Sequence, residues 1–212
     1  TRLTHVDPRD NWHKTSGRIY RLRPAAETVA EDASADQASA DLLPSRRQFD
    51  LRTLNDAQLI ELCGHPSRFF RFAAVEQLVA RGSPGAAAAL RQRLLGGEPV
   101  RLEDLWACAR LLGRAGFAAD TELLEALAGS STPDVRRWLV RLLGDAADVP
   151  ASAVGVLSSL AQRETDLRVR SQLASTAKRI AGDCGLALTL AMLAQDRSDD
   201  AADPHLPLLL WW

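Results

Sequence analysis

Gln77-Leu-Val-Ala-Arg-Gly82, Arg110-Leu-Leu-Gly-Arg-Ala115, Arg141-Leu-Leu-Gly-Asp-Ala146 and Arg179-Ile-Ala-Gly-Asp-Cys184 read as four versions of one helix end. The matched positions Leu78, Leu111, Leu142 and Ile180 are spaced by 33, 31 and 38 residues. Gly113, Gly144 and Gly182 fall at equivalent stops, where a left-handed backbone suits glycine. Ahead of each stop runs an apolar stripe, Val135, Trp138, Leu139, Leu142 and Leu143 in one case and Val169, Leu173, Thr176, Ala177 and Ile180 in another. These spacings put one face of a helix into a core. After each stop comes a second, shorter helix: Leu123-Leu124-Leu127, then Val154-Leu157-Leu160, then Leu186-Leu190-Leu193. A helix pair of about 35 residues that recurs is the mark of stacked repeats. The expected fold class is therefore all-α, a HEAT/armadillo-like α-solenoid over residues 50–212.

Working outward, Asn55 or Thr53 caps a first helix carrying Leu59, Leu62 and Cys63. His65-Pro66 places a proline at the first position of the next helix, which carries Phe69, Phe72, Val75, Leu78 and Val79. Toward the other end, Asp203-Pro204 opens a fifth unit, in which Trp211 and Trp212 pack. Residues 25–49 are acidic, poor in large apolar groups and read as a flexible linker. Residues 1–24 differ again. Asp7-Pro8-Arg9-Asp10-Asn11-Trp12 is turn chemistry, and Gly17-Arg-Ile-Tyr-Arg-Leu-Arg23 alternates as a strand does. One strand makes no domain, so it is expected to belong to a sheet outside this chain, with Trp12 packed there. A start at Thr1 and an end at Trp211-Trp212 lead to the expectation of a piece of a larger protein.

Charge and motif content narrow the function classes. The net charge is −1, with eleven arginines against seven acids over 42–116 and nine bases against thirteen acids over 117–212. That gradient lacks the dense basic stripe of a nucleic-acid binder. The longest apolar stretch, Cys184 to Ala194, has eleven residues and is too short to span a bilayer. Cys63, Cys108 and Cys184 lie far apart, without CxxC or CxxCH spacing, and read as buried thiols. His5, His13, His65 and His205 never fall at i, i+3 or i+4, so no metal pair is expected. His65, directly before a proline, is placed to cap the following helix with a ring nitrogen; His205 has a similar setting. No nucleophile elbow, phosphate loop, HExxH or EF-hand pattern occurs. The candidate catalytic, cofactor-binding and metal-binding sets are each none. Arg136, Arg137, Arg168 and Arg170, near the starts of repeat helices, make either a binding ridge or a solvated face paired with Asp134 and Asp166. The tryptophans Trp106 and Trp138 fall on stripes expected to be buried.

Three stretches carry a family resemblance: Arg2-Leu-Thr-His-Val-Asp-Pro-Arg-Asp-Asn-Trp12 running to Gly17-Arg-Ile-Tyr-Arg-Leu22; Leu59-Ile-Glu-Leu-Cys-Gly-His-Pro-Ser-Arg-Phe-Phe-Arg71 running to Ala80-Arg81; and Asp203-Pro-His-Leu-Pro-Leu-Leu-Leu-Trp-Trp212. Together they resemble the secreted "membrane-bound dehydrogenase-like" haem-binding proteins. In those a β-propeller similar to sorbosone and glucose dehydrogenases is followed by HEAT repeats and then by a cytochrome c domain. The resemblance implies that residues 1–24 are the last strand or strands of the propeller, and that the chain is a non-catalytic scaffold between propeller and cytochrome. It implies an extracytoplasmic setting and a c-type haem in the parent protein, with flanking domains of the same chain as partners. None of the family's haem ligands can be placed on these residues. The alternative is an independent protein-binding HEAT-repeat module. An enzyme built on the repeats themselves has the least in the residues to carry it.

Overall fold

The computed structural model of the protein describes residues 50–97, 99–146, 149–180 and 182–211. The strand expected within 17–23, the linker 25–49, Trp12, Trp212, His5 and His13 lie outside the described residues. Every regular element among the described residues is helical. After a 3-10 turn at Leu51–Thr53 come α1 (Asp56–Leu62), α2 (Arg68–Arg81), α3 (Pro84–Leu95), α4 (Leu102–Ala119), α5 (Thr121–Ala128), α6 (Pro133–Gly144), α7 (Ala151–Arg163), α8 (Leu167–Ala177), α9 (Asp183–Leu193), α10 (Ser198–Ala202) and α11 (Leu206–Trp211).

The helices alternate between two rows. Neighbours in chain order pack as pairs, α1 with α2, α3 with α4, α5 with α6 and α7 with α8. The first members α1, α3, α5, α7 and α9 then lie each against the next, and so do α2, α4, α6, α8 and α11. The core runs between the rows. Leu59, Leu78, Leu90, Leu105, Leu123 and Leu139 are all essentially inaccessible.

Local sequence explains most helix boundaries. Asn55 accepts from the Gln58 backbone while the Gln58 side chain accepts from the Asn55 N–H, a reciprocal cap. Pro84 and Pro133 occupy first-turn positions, where a missing N–H costs nothing. Pro66 does not: α2 begins at Arg68, behind Ser67. The His65 ring does cap, its Nδ1 accepting from Ser67 N–H at 3.0 Å. Gly82 ends α2 in the left-handed region at φ 63°, and Gly113 (φ 70°) breaks α4. The chain resumes helix at once after Gly113, and Phe117 and Ala118 pack inward.

α6 does stop at Gly144, as expected, but without the left-handed backbone expected of such a stop. It closes α6 inside the helix, and a Cβ there would lie 2.8 Å from Thr176 Cγ2 and 2.9 Å from Thr176 Oγ1. Its role is close approach between α6 and α8, reinforced by Thr176 Oγ1 donating to the Val140 carbonyl at 3.1 Å.

The stripes were also phased differently from the sequence expectation at several positions. Val135, Leu139, Val140 and Leu143 are buried, whereas Trp138 and Leu142 are half-buried. On α2 Val75 and Leu78 are buried as expected, joined by Ala74, but Phe69 is 70% and Phe72 38% exposed. On α9 the expected stripe of Leu186, Leu190 and Leu193 faces outward at 60%, 55% and 53% exposure, and Gly185, Leu188 and Met192 face in. Gly185 decides this: a Cβ on it would meet the Ala177 carbonyl oxygen at 2.1 Å, so only its bare face lets α9 seat against the end of α8.

These placements separate substitutions that look alike in sequence. Leu139→Ala is expected to cost about 2–5 kcal/mol, as for other buried leucines, and Leu142→Ala clearly less, measured as urea midpoints. Equal losses would contradict the phase of α6. Likewise Gly185→Ala destabilises, while Gly155→Ala, where an added Cβ meets nothing within 4 Å, stabilises by about 0.5–1 kcal/mol by removing helix-interior glycine.

Candidate functional site

The polar chemistry of the chain concentrates where one helix pair meets the next. Arg136, in the first turns of α6, donates from Nε to Glu164 Oε2 at 2.7 Å and from Nη2 to Glu164 Oε1 at 2.9 Å. Its Nη1 donates to the Ser130 carbonyl at 2.7 Å. Arg170 of α8 repeats the pattern. Nε reaches Asp200 Oδ1 at 2.7 Å, Nη2 reaches Asp200 Oδ2, and Nη1 donates to the Glu164 carbonyl at 3.2 Å. Arg71 of α2 is a third version, with Nε on Glu103 Oε1 at 2.6 Å and Nη1 on the His65 and Pro66 carbonyls at 3.1 and 2.9 Å. In all three, one nitrogen ties the arginine to a carbonyl six residues back and another reaches a carboxylate about one repeat ahead. A planar guanidinium with five fixed donors suits this double task; an ammonium does not.

Glu164 joins two of these clamps. Its side chain receives Arg136 and also the Thr165 and Asp166 backbone N–H groups at 2.9 Å each, while its carbonyl receives Arg170. Burial alone would raise the Glu164 carboxyl, but the Arg136 guanidinium and those backbone donors outweigh it and hold it below the ordinary range. The Arg170 side chain is fully inaccessible.

The second pair inverts the polarity. There the buried group is an acid, Asp104, gripped by Arg101 at 2.8 and 3.1 Å and approached by Arg93 at 3.3 Å. Burial pushes the Asp104 carboxyl up against the pull of both arginines. Arg101 also donates to the Ile60 carbonyl at 3.2 Å, and its guanidinium lies close over Gly64, where a Cβ would sit 2.3 Å from Nη1.

Of the four arginines singled out in the sequence, Arg136 and Arg170 are thus clamps, Arg170 itself buried and Arg136 half-buried against the buried Glu164. Arg137 and Arg168 are the exposed pairs, with Asp134 at 3.2 Å and Asp166 at 3.2 Å, which contribute little. Cys63 and Cys108 are buried, and burial pushes both thiols up to about 12, far from a reactive thiolate. Cys184 is half-buried. His205 is exposed, and its neighbour Asp203 supplies the cap by accepting from the His205 and Leu206 N–H groups. Among the described residues no three His, Cys, Asp or Glu side chains are grouped to hold a metal ion, and no helix is long and apolar enough to cross a membrane.

A row of rings lies across α2, α4 and α6. Phe72 and Trp106 have centroids 5.6 Å apart, and Trp106 and Trp138 4.9 Å apart, edge to face. The Arg68 guanidinium stands 4.9 Å over Phe72 and that of Arg141 stands 5.1 Å over Trp138. Sequence reading missed this row because it assigned both tryptophans to the core. The signal was one aromatic per unit, at 72, 106 and 138.

Comparison of the chain with known protein families, with curated proteins and with solved structures finds no match.

Removing one member of a buried clamp leaves its partner charged and unpaired. Arg136→Ala and Arg170→Ala are each expected to cost about 3–5 kcal/mol, whereas Arg137→Ala stays within about 0.5 kcal/mol. Because the folded Glu164 carboxyl is lowered, its contribution is fully present above its unfolded value of about 4.3 and is lost as pH falls through the lower folded value. Urea midpoints measured from pH 7 downward should therefore fall less steeply in Glu164→Gln than in the parent chain; parallel curves would remove Glu164 from this role.

Proposed function

We propose that residues 50–211 form a HEAT-like α-solenoid that acts as a non-catalytic scaffold, holding other polypeptide in fixed relation. What supports this is the use of the charge between helix pairs. Arg71, Arg136 and Arg170 each bind a connection behind them and a carboxylate ahead, so these ionic groups are committed to unit-to-unit geometry. In a catalytic cleft such groups converge on a cavity with reacting atoms in reach. Of the two clefts beside α11, one has Met192, Leu193 and Trp211 in its wall together with Asp196, Arg197 and Asp200, and Asp200 is already held by Arg170; the other has Leu186 and Leu209 beside Lys178 and Thr189.

The proposal extends to the setting that the resemblance implies. The scaffold would join a dehydrogenase-like propeller to a cytochrome c domain in an extracytoplasmic electron-transfer protein whose c-type haem lies outside this chain. A free-standing protein-binding module is the second reading, and the half-exposed ring row favours it.

Absorption spectra, as purified and after dithionite, test the redox setting. The parent polypeptide should show a reduced c-type haem spectrum, and the 212-residue chain alone should show no Soret band. Haem in neither would remove the redox setting and leave the free-standing module. A stoichiometric Soret band on the 212-residue chain would contradict the scaffold reading outright.

A further inference from the structure

We propose that the row Phe72, Trp106 and Trp138, with Arg68 and Arg141 at its two ends, is a docking surface for an acidic amphipathic helix of a partner protein. The proposal goes beyond the scaffold reading and draws on the second, protein-binding one, by naming the face used and the chemistry of what it holds.

Two observations carry it. The first is continuity of apolar surface. Phe72 is 38% exposed, Trp106 and Trp138 are half-buried, and the rings touch in sequence across three helices. Isolated exposed apolar residues are ordinary; a contiguous run of large ones marks a contact surface. The ring steps of 5.6 and 4.9 Å bracket the roughly 5.4 Å pitch of an α-helix. A helix lying along the row therefore sets one apolar side chain per turn against each step, as in helix-in-groove recognition.

The second is charge. Arg110 is matched by Glu76 in a two-pronged pair, and Arg137 by Asp134. Arg68 and Arg141 have no carboxylate partner among the described residues, and both are exposed. Each holds the flat of its guanidinium on a ring, which fixes its direction and leaves its N–H edge free. A positioned guanidinium edge takes a carboxylate by two parallel hydrogen bonds. The row thus ends, at both sides, in groups suited to acids and unsuited to bases.

A single-stranded nucleic acid also combines negative charge with flat groups, but it needs free ring faces for bases to stack on. Here Trp106 and Trp138 meet edge to face, and the guanidiniums of Arg68 and Arg141 cover faces of the outer rings.

The test is fluorescence anisotropy on the 212-residue chain with a labelled amphipathic peptide of about five helical turns, leucine on one face and glutamate on the other. Two control peptides replace glutamate by lysine or leucine by serine, and an oligothymidylate is run beside them. At about 0.15 M salt the leucine–glutamate peptide should bind at least about tenfold more tightly than either control. Arg68→Glu with Arg141→Glu should remove about tenfold or more of that affinity. Those two side chains are exposed, so this variant keeps its fold, checked by an unchanged thermal transition; Trp138→Ala serves as a second variant. No binding of the leucine–glutamate peptide, equal binding of the lysine peptide, or affinity untouched by the arginine variant would each overturn the proposal. Tight oligothymidylate binding lost in the variant would reassign the face to nucleic acid. The haem spectra of the preceding section are independent of all these outcomes, so the docking face can fail while the scaffold reading stands.

Discussion

Glu164 is the residue on which the middle of the stack turns. Its carboxylate takes two hydrogen bonds from Arg136 and two from the backbone that opens α8, and its own carbonyl takes Arg170, which in turn holds Asp200. Three successive helix pairs are thereby connected through one buried polar chain. Helical ridges alone leave neighbouring pairs some freedom to slide and twist, because apolar contact is non-directional. A two-pronged guanidinium–carboxylate contact has a direction. The leucines between the rows supply the bulk of the stabilisation, and the clamps set the angle at which each pair meets the next.

The same logic accounts for the glycines that matter. Gly64 leaves room for Arg101, Gly144 for Thr176 and Arg179, and Gly185 for the Ala177 carbonyl. Each lies at a junction between pairs, where backbone or clamp must approach closely. None of these three adopts a positive φ, so the demand is spatial and would be met poorly even by alanine. Irregularity is concentrated in the second pair, with the break at Gly113 and the acid Asp104 in place of a buried arginine. Its local charge is reversed, yet the plan of buried ion and backbone carbonyl is kept.

The helical class and the recurring pair were legible from 3.6-residue periodicity and from the recurring helix ends. Helix faces were less so. On α6, Trp138 and Leu142 sit beside the true inward residues Leu139 and Leu143, and a pattern of consecutive apolar residues cannot say which of two adjacent stripes turns inward. On α9 nearly every residue is apolar, so the periodic signal vanishes and Gly185 decides the face by a contact with α8 that no local pattern encodes. The clamps were half legible. Arg136 and Arg170 stood out, but their partners Glu164 and Asp200 lie about 30 residues away, while the nearer acids Asp134 and Asp166 drew the eye. The ring row escaped because helical spacing makes a half-buried tryptophan look the same as a buried one.

The central claim is that pairs are coupled to their neighbours through these clamps, with stability distributed along the stack. Hydrogen–deuterium exchange of Arg170→Ala against the parent chain tests it most directly, because the proposed solenoid would open from the broken junction toward its nearer end. The account predicts faster exchange in α8 through α11, with α1 to α4 keeping their protection. An equal loss of protection in every helix would mean that the chain unfolds as one cooperative body, and would contradict it.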